Sequence, residues 1–163
     1  MSGRVTWIVS MIGVLVVGIT VMLIDPLDRY HQAKCKERLK LVGNAIRTYQ
    51  SEQQGQLPRQ FAMLSNELIN PTFLICPGSG HTPLSFTDAD SWADYIYVDW
   101  SEVGGTNVVP GNYPIAYDRS ISYHGGRGVN VLLIDGSVRW DSKGKWLKKF
   151  AAEYTNVTLR LPE

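Results

Sequence analysis

The chain has 163 residues, a net charge of +1 and 44% hydrophobic residues. That is room for one soluble domain plus one membrane span. The near-neutral charge excludes a strong general preference for polyanions, and two cysteines exclude a disulfide-dense miniprotein.

The N-terminal stretch is apolar. Trp7 to Ile24 carries no charged residue across eighteen positions. At about 1.5 Å per residue this is roughly 27 Å, close to the ~30 Å hydrocarbon core of a bilayer. Trp7 at one end and Tyr30 beyond the other suit the two interfaces. The segment ends in Ile24-Asp25-Pro26 without a small-residue cleavage site, which weighs against a signal peptide. It has only Ser10 and Thr20 as polar members, which weighs against a buried core helix. A retained transmembrane helix over residues 7–27, after a short tail at 1–6, is therefore predicted. Ser10, Gly13 and Gly18 offer small surfaces for packing against another membrane helix. Pro26 predicts a kink where the helix leaves the bilayer.

Residues 28–54 continue as a soluble helix. Cys35, Leu39, Val42, Ile46 and Tyr49 recur in steps of four and three, which is one helical face. Gly55 and Pro58 end it. The fifteen glycines and eight prolines gather mostly after residue 54, so residues 55–163 read as a loop-rich head on a helical stem. Phe61 to Ile69 predicts a short second helix, Phe73 to Cys76 an extended piece, and residues 78–93 an exposed loop. Strands are predicted at Asp94–Asp99 and Tyr113–Asp118, with Pro114 at an edge or a strand start. Val129–Ile134, Asp135-Gly136 and Ser137–Asp141 form the clearest local signal, a hairpin expected to turn through a type I′ pair. Lys145–Tyr154 predicts a closing helix with Trp146, Leu147 and Phe150 on one side. Asn156-Val157-Thr158 matches a glycosylation acceptor only in a eukaryotic secretory setting.

Chemistry-bearing patterns are sparse. There is no phosphate loop, no dinucleotide fingerprint and no nucleophile elbow around Ser79. Cys35 and Cys76 are too far apart in sequence for a Cys-x-x-Cys site. His124 with Asp135 supplies two ligands, short of the four that zinc takes, so a loop-fixing role for His124 is the simpler reading. Asp88, Asp90, Asp94 and Asp99 are oxygen donors of the type that hold calcium, without EF-hand spacing; a solvated acidic loop is the plainer account. Lys143, Lys145, Lys148 and Lys149 read as a solvated helix face or a lipid headgroup contact.

The order of these parts resembles the type II secretion pseudopilins and type IV pilins, and most resembles the pilin-like proteins abundant in planctomycetes. Three pieces carry the resemblance. The stem holds Cys35, Leu39, Gly43, Ala45 and Tyr49 in a pattern similar to Cys-x-x-Asn-Leu-x-x-Ile-Gly-x-Ala-x-x-x-Tyr. Gly55-Gln56-Leu57-Pro58 and Cys76-Pro77 follow. Last come His124-Gly125-Gly126 and Asn130-Val131-Leu132-Leu133-Ile134-Asp135-Gly136, similar to a His, nine-residue gap, Asp-Gly pattern.

The resemblance implies an α+β fold, a long helix packed on a small antiparallel sheet. It implies a non-enzymatic, single-pass structural protein of a bacterial secretion or pilus assembly, with its head in the periplasm. The partners implied are membrane lipid and other membrane helices, with no nucleic acid, small-molecule substrate or cofactor. A plain count of positive charges opposes this orientation, since Arg4 precedes the apolar run and Arg29, Lys34, Lys36, Arg38 and Lys40 follow it. With the head outside the cytoplasm, Cys35 and Cys76 are expected to form a disulfide worth about 3–4 kcal/mol, with two buried free thiols as the alternative. His124, Gly125, Gly126, Asp135 and Gly136 are expected to shape the head's loop and hairpin.

The chain departs from the family pattern in two places. Gly3 is followed by Arg4-Val5-Thr6 rather than Phe-Thr-Leu, and the apolar segment lacks the family's Glu. Ten residues, not nine, separate His124 from Asp135. The missing carboxylate opens a second reading, a structural accessory subunit of a large respiratory or photosynthetic membrane complex.

Overall fold

A computed structural model describes residues 2–68, 70–101, 103, 109–155 and 157–163, with side chains from Pro26 onward in the first helix. The fold is α+β. Helix α1 runs from Ser2 to Glu52 and contains Pro26 without interruption of its assigned span. Among the described residues four strands follow, β1 (Tyr95–Tyr97), β2 (Pro114–Asp118), β3 (Gly128–Leu133) and β4 (Val138–Ser142). They form one antiparallel sheet in sequence order, β1-β2-β3-β4. Helix α2 (Ala89–Trp92) is a single turn, and α3 (Lys145–Glu153) follows the hairpin.

The 3.6-residue periodicity of the stem is its packing face. Cys35, Leu39, Val42, Ala45 and Ile46 are all buried, while Lys36, Glu37 and Lys40 are exposed. This face lies mainly on β3, whose Val129, Val131, Leu132 and Leu133 are buried. Gly43 lets the helix come close to the sheet: a Cβ there would stand 2.9 Å from a Leu132 methyl. Strand β3 therefore has α1 across it and β2 and β4 beside it, which explains its burial along its full length. Pro114 is the first residue of β2, and the register slips between it and Ala116, so the missing N–H falls where the ladder is already broken.

Three local expectations are corrected. Phe73 and Leu74 belong to a 3₁₀ turn, Pro71–Leu74, and not to an extended piece. Asn70 caps it by accepting from Thr72 N–H at 2.9 Å, and Pro71 supplies a preset φ. The second helix shrinks to a 3₁₀ turn, Phe61–Leu64, and the loop after Pro77 holds another at Phe86–Asp88 that leads into α2. The β3–β4 turn is not type I′, because of its two central residues only Gly136 has positive φ, at +83°. Gly136 N–H donates to Leu133 C=O at 2.9 Å, and Leu133 N–H donates to Ser137 C=O at 2.8 Å. That is the three-residue hairpin in which a tight turn is followed by a left-handed glycine.

Candidate functional site

The concentrated chemistry of the molecule lies where the stem meets the head. Cys35 of α1 and Cys76 of the loop after the Pro71–Leu74 turn are joined in a disulfide, with Cα atoms 5.4 Å apart. His124 ends a 3₁₀ turn, Ile121–His124, and Asp118 ends β2. His124 Nε2 is 2.9 Å from Asp118 Oδ2 and 3.8 Å from Cys76 Sγ. One ligand-type atom from each of Cys35, Cys76, Asp118 and His124 falls within 4.8 Å of all the others, and all four residues are buried.

Local structure fixes each member. The Ser120 hydroxyl accepts from Ser122 N–H at 3.1 Å and so starts the turn that carries His124. Gly125, at φ +63°, ends that turn in the left-handed region. A Cβ on Gly125 would run into the Asp28 carboxylate, which pairs with Arg127 at 2.7 Å and ties the loop to the stem. Asn130, on β3 beside the end of β2, donates to Asp118 Oδ2 through both its backbone N–H and its side-chain amide, the latter at 3.2 Å. The His124 ring meets Trp140 edge-on at 5.6 Å.

Burial pushes the Asp118 carboxyl upward, and the hydrogen bonds from His124 and Asn130 hold part of that rise back. Asp118 Oδ1, His124 Nδ1 and the Tyr95 hydroxyl are buried without hydrogen-bond partners. Burial, with Asp118 and Asp94 nearby, pushes the Tyr95 phenol up as well. The arrangement sets an imidazole in hydrogen-bond contact with a carboxylate beside a disulfide. Among the described residues, these four side chains are enclosed.

A second cluster lies beside it. Asp94 accepts from Cys76 N–H at 2.8 Å, from the Ser79 hydroxyl, and from the Tyr123 hydroxyl at 3.1 Å. His81 Nδ1 is 2.6 Å from Oδ1, the oxygen that also accepts from Tyr123, while Cys76 and Ser79 share Oδ2. Asp94 is thus the hub that fixes the Cys76–His81 loop against the Ile121–His124 turn. Gly78 sits between the two: a Cβ there would overlap the Tyr123 carbonyl.

No family model, no curated protein and no solved structure matches the chain.

The remaining residues singled out from sequence are dispersed. Asp135 is away from His124, in the β3–β4 turn, where it accepts from Ser137 N–H at 2.8 Å. Arg47 of the stem reaches its carbonyl at 3.3 Å. Gly126 and Gly136 hold left-handed φ of +72° and +83°. The four aspartates do not converge. Asp90 accepts from Phe61 N–H at 3.1 Å, Asp99 from Ser101 N–H at 2.8 Å, Asp94 is the buried hub, and Asp88 is exposed. Lys145, Lys148 and Lys149 lie on α3, where Lys149 is 3.7 Å from Glu153. Ser10, Gly13 and Gly18 lie within α1, but the side chains of the whole run Trp7–Ile24 are outside what is described, so the helix-packing expectation for them falls there, and Asn156 is outside the described residues altogether. Pro26 is exposed on α1. Among the residues whose side chains are described, which in α1 begin at Pro26, no helix is long and apolar enough to cross a membrane.

Asp118 was missed from sequence. Its signal was faint but present: an aspartate closing a strand of apolar residues, six positions before a histidine, has no reason to be buried unless something holds it. The wide spacing of Cys35 and Cys76 likewise says nothing about distance in a fold whose stem crosses its own head.

Proposed function

We propose that this is a non-catalytic, single-pass membrane protein of pilin-like architecture, in which the first half of α1 packs in the bilayer and the head packs outside it. The observation that carries the reading is the charge-free run Trp7–Ile24 placed in one continuous helix with a stem that is the buried spine of the head. At ~1.5 Å per residue, the 51 residues of α1 extend about 77 Å, enough for a bilayer crossing and a stem together. Leu27 and Tyr30, exposed just beyond the run, suit the headgroup zone. The Cys35–Cys76 bridge supports a head in an oxidising compartment, the periplasm of a bacterium.

The chain would act through helix packing, as part of a secretion or pilus-type assembly. A second reading is favoured by one sequence feature. The apolar run holds no Glu, and Gly3 is followed by Arg4-Val5-Thr6, so processing and polymerisation in the pilin manner lack their usual groups. In that reading the chain is a structural accessory subunit of a large membrane complex. Purification in mild detergent followed by mass spectrometry separates the two. Secretion or pilus proteins in the eluate, with an N-terminus cut after Gly3, support the first; a respiratory or photosynthetic complex with an uncut N-terminus supports the second. Release of the chain from membranes by alkaline carbonate would sink both.

A further inference from the structure

We propose that Cys35, Cys76, His124 and Asp118 form a tetrahedral zinc site in the chain whose disulfide has been reduced. The four residues come from four separate pieces of structure, yet their donor atoms lie within 4.8 Å of one another. Zinc bonds of ~2.3 Å to sulfur and ~2.0–2.2 Å to nitrogen and oxygen set the edges of a tetrahedron at about 3.4–3.8 Å. His124 Nε2 is already 3.8 Å from Cys76 Sγ. Its 2.9 Å separation from Asp118 Oδ2 has only to open by a few tenths of an ångström. The bonded sulfurs have to part to about 3.8 Å, which is what reduction permits.

The donor set also fits. Two thiolates and an imidazole favour zinc over hard cations, and a fully buried four-ligand set is the closed type that holds structure. The outer shell is in place for the carboxylate, which Asn130 N–H and Nδ2 orient. Asp118 Oδ1 is a buried oxygen with no partner. Two thiolates and one carboxylate carry three negative charges against two on the cation. Arg38 lies close, donating to the Ile75 carbonyl one residue from Cys76.

The chemistry balances in two steps. A dithiol reductant gives two electrons and two protons to the Cys35–Cys76 bond and leaves as its own cyclic disulfide. Zinc(II) then displaces the two thiol protons to solvent. The stem–head joint thereby exchanges a covalent clasp for a metal clasp at the same point. In reverse, a small-molecule disulfide takes two electrons from the two thiolates and two protons from solvent, leaves as two thiols, and the re-formed bridge releases the cation.

The test uses the full-length chain in mild detergent. The chain is reduced, freed of dithiol by anaerobic gel filtration, and given zinc chloride. One zinc per reduced chain and none per oxidised chain is the expected result. His124→Gln and Asp118→Asn each weaken zinc binding by at least about tenfold. Cobalt(II) in the unmutated reduced chain gives tetrahedral absorption with thiolate charge transfer, a readout that needs no variant to fold. A reduced chain that takes up no zinc overturns the proposal. So does equal uptake by the oxidised chain, an octahedral cobalt spectrum, or undiminished affinity in a folded His124→Gln chain.

Discussion

At the scale of single residues, buried carboxylates do the organising. Asp94, Asp118 and Asp141 are each at most 3% exposed; Asp94 and Asp141 meet donors at both oxygens, Asp118 at Oδ2. A buried carboxylate is costly alone and stabilising when its oxygens are met. Asp135 works on the surface instead. The Ser137 hydroxyl and backbone N–H hold its carboxyl below the usual range, with a smaller contribution from Arg47. A lowered folded-state value means stability that is present at neutral pH and lost as pH falls through that value, below about 4. Wild-type chain is expected to lose more thermal stability between neutral pH and acid than Asp135→Asn, which keeps the side-chain acceptor but not the charge. Parallel melting curves across that range would show that the charge is irrelevant to the turn.

At the scale of elements, α3 depends on one residue outside it. Gly144 precedes the helix in a left-handed conformation and supplies no side chain, so the first N–H groups of α3 need another acceptor. Asp141, at the β4 end, provides it: its two oxygens each take one N–H, Trp146 and Leu147, both at 2.9 Å. Asp141→Ala is expected to cost about 2 kcal/mol, the upper range for a lost cap, measured by denaturant unfolding. Asp141→Asn keeps one acceptor and should recover part of that loss.

These elements also show what could be read in advance. The stem face, the β3–β4 hairpin and α3 were legible because their periodicity is long and local. The 3₁₀ turns at Pro71–Leu74 and Phe86–Asp88 were not, because each is fixed by one polar side chain, Asn70 or Ser85, and has no apolar repeat. The turn type was missed for a different reason. Asp-Gly is compatible with both hairpin geometries, and the choice falls to one extra residue, Ile134, that the loop takes in. The buried cluster is a matter of tertiary contact: Asp118 meets His124 and Asn130 only after β2, β3 and the Ile121–His124 turn have come together.

At the scale of the whole molecule, the stem is held to the head by packing, by the Asp28–Arg127 pair and by the disulfide. The bridge closes a sequence separation of 41, which in the chain-entropy account is worth about 4 kcal/mol. Reduction in the presence of a chelator should lower the melting temperature by roughly 10 °C for a chain of this size. A melting point that does not move would mean that packing alone sets the joint.

The position of that bridge has a mechanical consequence. Cys35 lies on the N-terminal side of Leu39, Val42 and Ile46, the stem residues buried against the head. Tension applied along the stem from its N-terminal end, with the head held anywhere beyond Cys76, therefore passes from residue 35 to residue 76 through sulfur. Residues 36–75 sit in a covalent bypass and feel none of it directly. In the oxidised chain, pulling cannot peel the stem's own core face off the sheet from that end. Cutting the bridge would put about 140 Å of chain, a sequence separation of 41 at ~3.4 Å per step, into the line of force.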